Sequence, residues 1–199
     1  MRTKLLIAVG LVALVALVAV GLSQTGSDNA APSQDELRYS PSQIEQELTG
    51  SPAPLAAIHE QSSQLLGGGR DAVEQRLAAL REAGTPVIVN KWASWCGPCR
   101  AEFPHFQNLS VEFGKRVAFL GLNSGDNDGD AREFLGDFPV SYPSYKDPNE
   151  KAALDLGVSA AYPATIFFDA RGEKVFTKQG LYADEADLAA DIRRYALGG

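Results

Sequence analysis

The two cysteines of this 199-residue chain lie within one short segment, Trp95-Cys96-Gly97-Pro98-Cys99-Arg100. The apolar run from Pro86 to Val89 precedes this segment and is typical of a buried parallel strand. Apolar residues spaced three or four apart follow the segment and predict an amphipathic helix: Phe103, Phe106, Leu109 and Phe113. The cysteine pair is therefore predicted to lie where a strand ends and a helix begins, as in an α/β fold.

This cysteine pair favours redox chemistry over a structural role. Two thiols separated by two residues can close a small, reducible disulfide, and a position at a helix N-terminus favours the nucleophilic thiolate of Cys96. A disulfide that encloses so few residues restricts the unfolded chain little, so it would add little stability. A zinc site needs about four ligands, and only His59 and His105 are available beside the cysteines, at an unsuitable spacing.

The segment from Asn90 to Pro104, which includes Trp92-Ala93-Ser94-Trp95-Cys96, resembles the active site of thioredoxin-fold proteins. More narrowly, it is similar to the TlpA/ResA-like group of membrane-anchored thiol:disulfide oxidoreductases. Ala161-Tyr162-Pro163-Ala164-Thr165 resembles the element of this family whose proline is cis and faces the cysteines. The resemblance covers about residues 70–195. It implies a thioredoxin fold, which is an α/β fold with a mixed central sheet flanked by helices, and an enzyme that needs no cofactor.

The resemblance and the chemistry of the motif suggest a role for each residue. Cys96 is expected to attack the substrate disulfide, and Cys99, one helical turn deeper, to resolve the mixed disulfide. Trp95, Gly97 and Pro98 are expected to contact the substrate, and Trp95 is expected to shape the exposed rim of the site. Gly97 is expected to allow a tight turn, and Pro98 suits the first helical turn because it has no N–H to lose.

Glu102 and Pro163 each have a functional and a plain interpretation. Glu102 follows Cys99 by three residues, on the same helical face, and the resemblance implies that it accepts a proton from Cys99. The alternative is a solvated residue that only benefits from the helix dipole. Beside a cis Pro163, the backbone of Tyr162 is expected to bind an extended substrate. The alternative for Pro163 is an ordinary proline at the start of a strand.

Periodicity predicts the remaining elements. A helix is expected from Leu55 to Leu66, followed by a second from about Asp71 to Glu82 with Asp71 as its cap. Further strands are expected at residues 117–122 and 144–146 and in a hairpin over residues 165–177, and a final helix at residues 184–195. The aspartate-rich loop at residues 123–130 is interpreted as a turn and a helix cap, because it lacks the Gly and Glu of a calcium-binding EF-hand loop.

The N-terminus carries a membrane signal. Residues 5–22 are eighteen consecutive apolar residues or glycines, preceded by Arg2 and Lys4, and they predict a transmembrane helix whose N-terminus is cytoplasmic. A cleaved secretory signal, which would release a secreted protein, is the alternative. The predicted organisation is a signal-anchor at residues 1–22, a flexible polar linker at 23–54 and a thioredoxin-like domain at 55–199. The protein is then a single-pass membrane protein with an extracytoplasmic catalytic domain.

The charge and composition of the chain limit the kinds of partner that it can bind. The chain has a net charge of −7, and without Arg2 and Lys4 it keeps 16 basic residues against 25 acidic ones, which makes nucleic acid an unsuitable partner. Expected partners are protein dithiols or disulfides and a membrane redox protein, with the chain itself a monomer that holds no metal. The motif leaves the function open between a reductant, for instance in cytochrome c maturation, and a disulfide-forming oxidant. A copper carrier is disfavoured by the two-residue spacing and by the lack of a histidine after His105.

Overall fold

A six-stranded mixed sheet forms the centre of the computed structural model, which describes residues 38–199. Its strands are β1 (Leu65–Leu66), β2 (Val87–Trp92), β3 (Ala118–Ser124), β4 (Ser144–Asp147), β5 (Ala164–Phe168) and β6 (Lys174–Gln179), in the spatial order β1-β4-β3-β2-β5-β6. The first four strands pair in parallel, whereas β5 pairs antiparallel with both β2 and β6. The predicted thioredoxin-type sheet, with a terminal hairpin as its antiparallel edge, is confirmed.

Seven α-helices accompany the sheet in the described part of the chain. They are α1 (Pro41–Leu48), α2 (Ala53–His59), α3 (Gly69–Glu82), α4 (Gly97–Glu112), α5 (Asp128–Asp137), α6 (Lys151–Asp155) and α7 (Glu185–Asp191), and a π-helical turn at Ile192–Ala196 follows α7. Polar side chains begin three of them: Ser40 caps α1, Asn127 caps α5 and Asp184 caps α7. The turn and helix cap predicted for the loop at residues 123–130 are thus confirmed.

Strand β2 positions the site because it is central and buried along its whole length. Successive side chains of a strand point to opposite faces of the sheet. Trp92 faces α4 and α5, where its ring lies 5.4 Å from that of Phe103 and 4.7 Å from that of Phe134. Asn90 shares this face, and Lys91 points to the other. Asn90 and Lys91, which are neighbours in β2, therefore contact groups on opposite faces of the sheet.

Strands β3 and β4 approach each other closely at Gly121. A Cβ atom at this position would lie 2.0 Å from the Oγ of Ser144 and 3.0 Å from the indole Nε1 of Trp92. That Oγ accepts a hydrogen bond from the same Nε1 at 3.1 Å. Only glycine fits here without displacing the neighbouring strand.

The structure corrects two helix predictions near the start of the domain. Leu65 and Leu66 form strand β1, which pairs in parallel with β4, and the helix before them ends at His59. Pairing with a strand that is distant in sequence overrides the local helical spacing of these leucines. The next helix begins at Gly69 with Gly68 as its N-cap residue, so Asp71 lies within the first turn and is not the cap.

The composition of residues 23–54 predicts a flexible linker, but the described part of this range, residues 38–54, contains α1 and the start of α2. Leu48 is buried, and the backbone N–H of Arg38 donates to the Oδ1 of Asn108 on α4 at 2.9 Å. The folded region therefore begins before residue 55. The predicted membrane helix at residues 1–22 lies outside the described residues. Among residues 38–199, no helix has the length and hydrophobicity needed to cross a bilayer.

Candidate active site

Cys96 and Cys99 form a disulfide at the start of α4, with their Cα atoms 5.3 Å apart. Cys96 is the N-cap residue, and its Sγ accepts a hydrogen bond from the backbone N–H of Cys99 at 3.1 Å. Pro98 lies in the first helical turn, as predicted. The side chain of Cys96 is 3% exposed and that of Cys99 is 0% exposed. The expected order of accessibility is kept, but the difference is small in the disulfide form because both sulfurs are buried.

The loop that leads into Cys96 is fastened to the loop after β3 by Asp126. One carboxylate oxygen of Asp126 accepts from the backbone N–H of Ser94 at 2.6 Å, and the other accepts from the hydroxyl of Ser94 at 2.8 Å. The side-chain amide of Asn123, in β3, donates to the same carboxylate at 2.8 Å. Arg100 adds a bond from its guanidinium to the carbonyl oxygen of Ser94 at 3.1 Å. These bonds fix the backbone two residues before the disulfide.

The exposed rim of the site contains both predicted substrate-binding segments. The Trp95 side chain is 58% exposed, and its Nε1 donates to the carbonyl oxygen of Gly125 at 3.0 Å. Its ring lies 4.8 Å from the ring of Tyr162. The Tyr162–Pro163 bond is cis, as the resemblance implied, and Pro163 is buried. The structure thus brings Trp95, which directly precedes Cys96, next to the residue before Pro163.

Gly97 contributes differently from expectation. Its φ is not positive, and a Cβ atom there would meet no other atom within 4 Å, so the turn does not require glycine. Gly97 and Pro98 are both exposed. Gly97 therefore leaves the surface at the start of α4 free of a side chain at this position.

Glu102 lies one turn beyond Cys99 and its side chain is 0% exposed, so the alternative of a solvated helix residue is wrong. One carboxyl oxygen accepts from the Nδ2 of Asn90 at 2.7 Å, and the other accepts from the backbone N–H of Tyr182 at 2.9 Å. Burial raises the pKa of Glu102 from 4.5 to about 7, although both hydrogen bonds and the charge of Lys178 favour ionisation. A carboxyl group with this pKa can take up or release a proton near neutral pH.

Lys91 is a buried residue of the site that the sequence analysis did not single out. Its side chain is 0% exposed, and its ammonium group lies 3.6 Å from the centre of the Tyr162 ring. The signal was present, because Lys91 closely follows the apolar run at residues 86–89, and a lysine that is buried must be paired. Asp126 was also missed as a fastening residue, since only the fold brings it to Ser94.

No cluster of three or more His, Cys, Asp or Glu side chains is arranged to hold a metal ion within the described range, residues 38–199.

Comparison with known proteins identifies the family. Residues 49–192 match the family model described as Redoxin. The chain belongs to the redoxin family. This redoxin is 33% identical over 140 residues to the thiol:disulfide interchange protein DsbE of Pseudomonas fluorescens biotype C, an alignment that covers 68% of this chain and 69% of that protein.

Two other similarities agree with this assignment. The redoxin is 33% identical over 129 residues to the DsbE of Xylella fastidiosa strain Temecula1, covering 63% of this chain but only 58% of the relative, which is less than two thirds of its length. A solved structure from Chlorobium tepidum, assigned as a thiol:disulfide interchange protein DsbE, superposes with a TM-score of 0.51 at 29% identity, covering 56% of this chain and 79% of that one. The predicted family of thioredoxin-fold thiol:disulfide oxidoreductases is confirmed.

Proposed function

We propose that this redoxin catalyses thiol–disulfide exchange with protein substrates through Cys96 and Cys99. The observation that carries the proposal is a disulfide at a helix N-terminus, beside an exposed aromatic rim and one turn before a buried carboxyl group. Thiol:disulfide interchange is also the activity named for the relatives described above.

In the proposed reaction, the thiolate of Cys96 attacks a substrate disulfide, forms a mixed disulfide and releases the first substrate thiolate. Cys99 then loses its proton to the carboxylate of Glu102 and attacks the Sγ of Cys96. That step releases the second substrate thiolate and closes the Cys96–Cys99 disulfide. Two electrons pass from the dithiol to the substrate.

The proposed direction is reduction of exported proteins. The residues between the cysteines, Gly97 and Pro98, carry no charge and donate no side-chain hydrogen bond that would stabilise a thiolate. Glu102, when ionised, disfavours the Cys99 thiolate further. A stable disulfide means a reducing protein, like thioredoxin at about −270 mV, whereas DsbA at about −120 mV is a strong oxidant. The TlpA/ResA-like group that this chain resembles includes reductants that act in cytochrome c maturation, so this pathway is one candidate for the redoxin.

Equilibration of the dithiol with glutathione buffers of stated ratio tests the direction. A potential well below about −170 mV is expected, and a value above it would make the redoxin more oxidising than protein disulfide isomerase and remove the reductant assignment.

Two cysteine variants test the roles of the two sulfurs. Cys96→Ser is expected to abolish exchange because it removes the attacking thiolate. Cys99→Ser is expected to accumulate a mixed disulfide on Cys96, which non-reducing electrophoresis and mass spectrometry detect. If the covalent complexes formed on Cys99 in the Cys96→Ser variant, the two roles would be reversed.

The proposal also includes export and a membrane anchor. It is supported by the apolar run at residues 5–22 and by the basic residues before it. Removing residues 1–24 is expected to leave exchange activity intact and to move the protein from the membrane fraction to the soluble fraction. Mature soluble protein that begins near Leu22 in cells expressing the full chain would show cleavage instead.

A further inference from the structure

Lys91 carries a buried charge on the face of β2 that points away from α4. Its Nζ atom has three oxygen neighbours, each at 2.9 Å: the carboxylate of Glu150 and the carbonyl oxygens of Val158 and Ser159. The face of the Tyr162 ring lies against the same ammonium group, 3.6 Å from the ring centre.

These neighbours match the needs of a charged lysine. An ammonium group has three N–H donors and no acceptor, and here each donor has its own oxygen. Glu150 supplies the balancing negative charge and keeps 34% of its side chain exposed. An ion pair of this kind is weak support for stability, because well-packed apolar residues in place of both partners are often equally stable. The ammonium group holds the oxygen atoms that accept its hydrogen bonds in fixed positions, and an apolar side chain could not do this.

The atoms that Lys91 holds belong to the segment that leads into the cis proline. Val158 and Ser159 follow α6, and the chain then runs through Tyr162 to Pro163 and into β5. The ring of Tyr162 therefore has Lys91 at 3.6 Å and the ring of Trp95 at 4.8 Å. A chain of contacts connects the buried ammonium to the exposed rim beside Cys96.

We propose that Lys91 is a positioning residue that holds the 158–163 segment at a fixed distance from Trp95 and thereby sets the affinity for protein substrates. The inference rests on the proposed function, because it assigns Lys91 to the binding of the substrate chain and not to the chemistry of the sulfurs. A protein disulfide has to contact the rim on both sides of the cysteines. A small disulfide reaches Cys96 with few such contacts, so it depends less on the spacing.

The test compares Lys91→Met with Lys174→Met in the full-length chain. Met keeps the length of the side chain and removes its charge and donors. Lys174 is a matched control, since its Nζ also donates to a backbone carbonyl, that of Leu156 at 3.1 Å, but lies on β6 opposite Phe168, away from the Tyr162 rim. Each dithiol form is assayed with insulin as the protein disulfide and with 5,5′-dithiobis(2-nitrobenzoate), DTNB, as the small one.

Lys91→Met is expected to raise the KM for insulin about tenfold, which corresponds to roughly 1.4 kcal/mol of lost binding. The rate constant with DTNB is expected to fall by no more than about twofold, within the range of small surface effects. Lys174→Met is expected to match the parent with both substrates. Iodide quenching adds a structural readout: Trp92 is buried, so quenching reports on Trp95, and it is expected to increase in Lys91→Met as Tyr162 loosens.

The outcomes separate the two proposals. A parent protein that exchanges with neither substrate would overturn the proposed function itself. An active parent with Lys91→Met equal to it, or with both substrates slowed by the same factor, would overturn the role of Lys91. If circular dichroism shows that Lys91→Met does not fold, Glu150→Gln replaces it, because it weakens one of the three bonds and keeps an acceptor. An insulin KM for Glu150→Gln equal to that of the parent would then overturn the proposal.

Discussion

Replacing Glu102 by Gln should change how stability depends on pH. Glu102 lies on α4 and is buried against β2 and the loop after β6. Asn90 and Tyr182 donate hydrogen bonds to its carboxyl group, and the charge of Lys178 favours its ionisation. The negative charge of Glu102 in turn contributes to the raised pKa of the Tyr142 hydroxyl. Gln keeps one of the two bonds directly, because its carbonyl oxygen can accept from the N–H of Tyr182. Its amide can bond to Asn90 only if the Asn90 amide turns to present Oδ1, which is buried without a partner among residues 38–199.

The size of the effect follows from linkage. Burial raises the pKa of Glu102 in the folded oxidised protein to about 7, from an ordinary value of 4.5. The folded state therefore holds the proton more tightly, and the stability that this provides is complete below pH 4.5 and lost as the pH rises through 7. The two values differ by roughly 2.5, and at about 1.4 kcal/mol for each unit the loss is about 3 kcal/mol. The Glu102→Gln variant does not lose this stability as the pH rises, because its amide does not titrate.

The measurement is denaturant unfolding of the oxidised parent and variant at a series of pH values from about 4.5 to about 8. The stability of Glu102→Gln relative to the parent is expected to rise across this range by about 3 kcal/mol. Glu133→Gln, which removes an exposed glutamate on α5, is the matched control for the loss of one acid. A pH–rate profile of the dithiol form adds a functional readout, in which Glu102→Gln is expected to remove a step near pH 7.

A stability difference that stays constant across this pH range would refute the reasoning. It would mean that the carboxyl group of Glu102 titrates alike in the folded and unfolded chains, so burial would not hold a proton on it. Superimposable pH–rate profiles would refute the second part, the transfer of a proton from Cys99 to Glu102.

Two further changes test how the fold supports the site. Asp126→Ala leaves the N–H and hydroxyl of Ser94 without their carboxylate acceptor. We expect a loss of roughly 2 kcal/mol in unfolding free energy and faster hydrogen exchange at Ser94, whereas parent-like exchange there would show that the carboxylate does not protect this N–H. Gly121→Ala places a Cβ against Ser144 and should cost on the order of 2 kcal/mol, measured by thermal unfolding. The same substitution in a Ser144→Gly background should cost clearly less, and equal costs would locate the strain elsewhere.

Hydrophobic spacing was sufficient to predict much of the fold. The run before the cysteines became β2, and Phe103 and Phe106 became buried residues of α4. These predictions hold because each element buries a face that its own sequence defines. The same reasoning failed at Leu65 and Leu66, where two leucines suit a helix or a strand equally well and the distant strand β4 decides.

The disulfide was predictable from the sequence alone, because it needs only two cysteines three positions apart at the start of a helix. The setting of Glu102 was not. Spacing put the side chain on the face of Cys99, but whether that face meets water or protein depends on where the loop of Tyr182 packs. Burial, and with it the raised pKa, is a property of the assembled fold.

The sequence by itself determined the family, the two sulfurs and the cis proline segment, since these follow from local motifs. The tertiary structure alone decided which side chains support them. Lys91 reaches the segment before Pro163, and Asp126 reaches Ser94, across 67 and 32 positions of chain respectively. Such contacts depend on the order of the strands in the sheet, because the sequence around each residue contains no pattern from which its distant partner could be predicted.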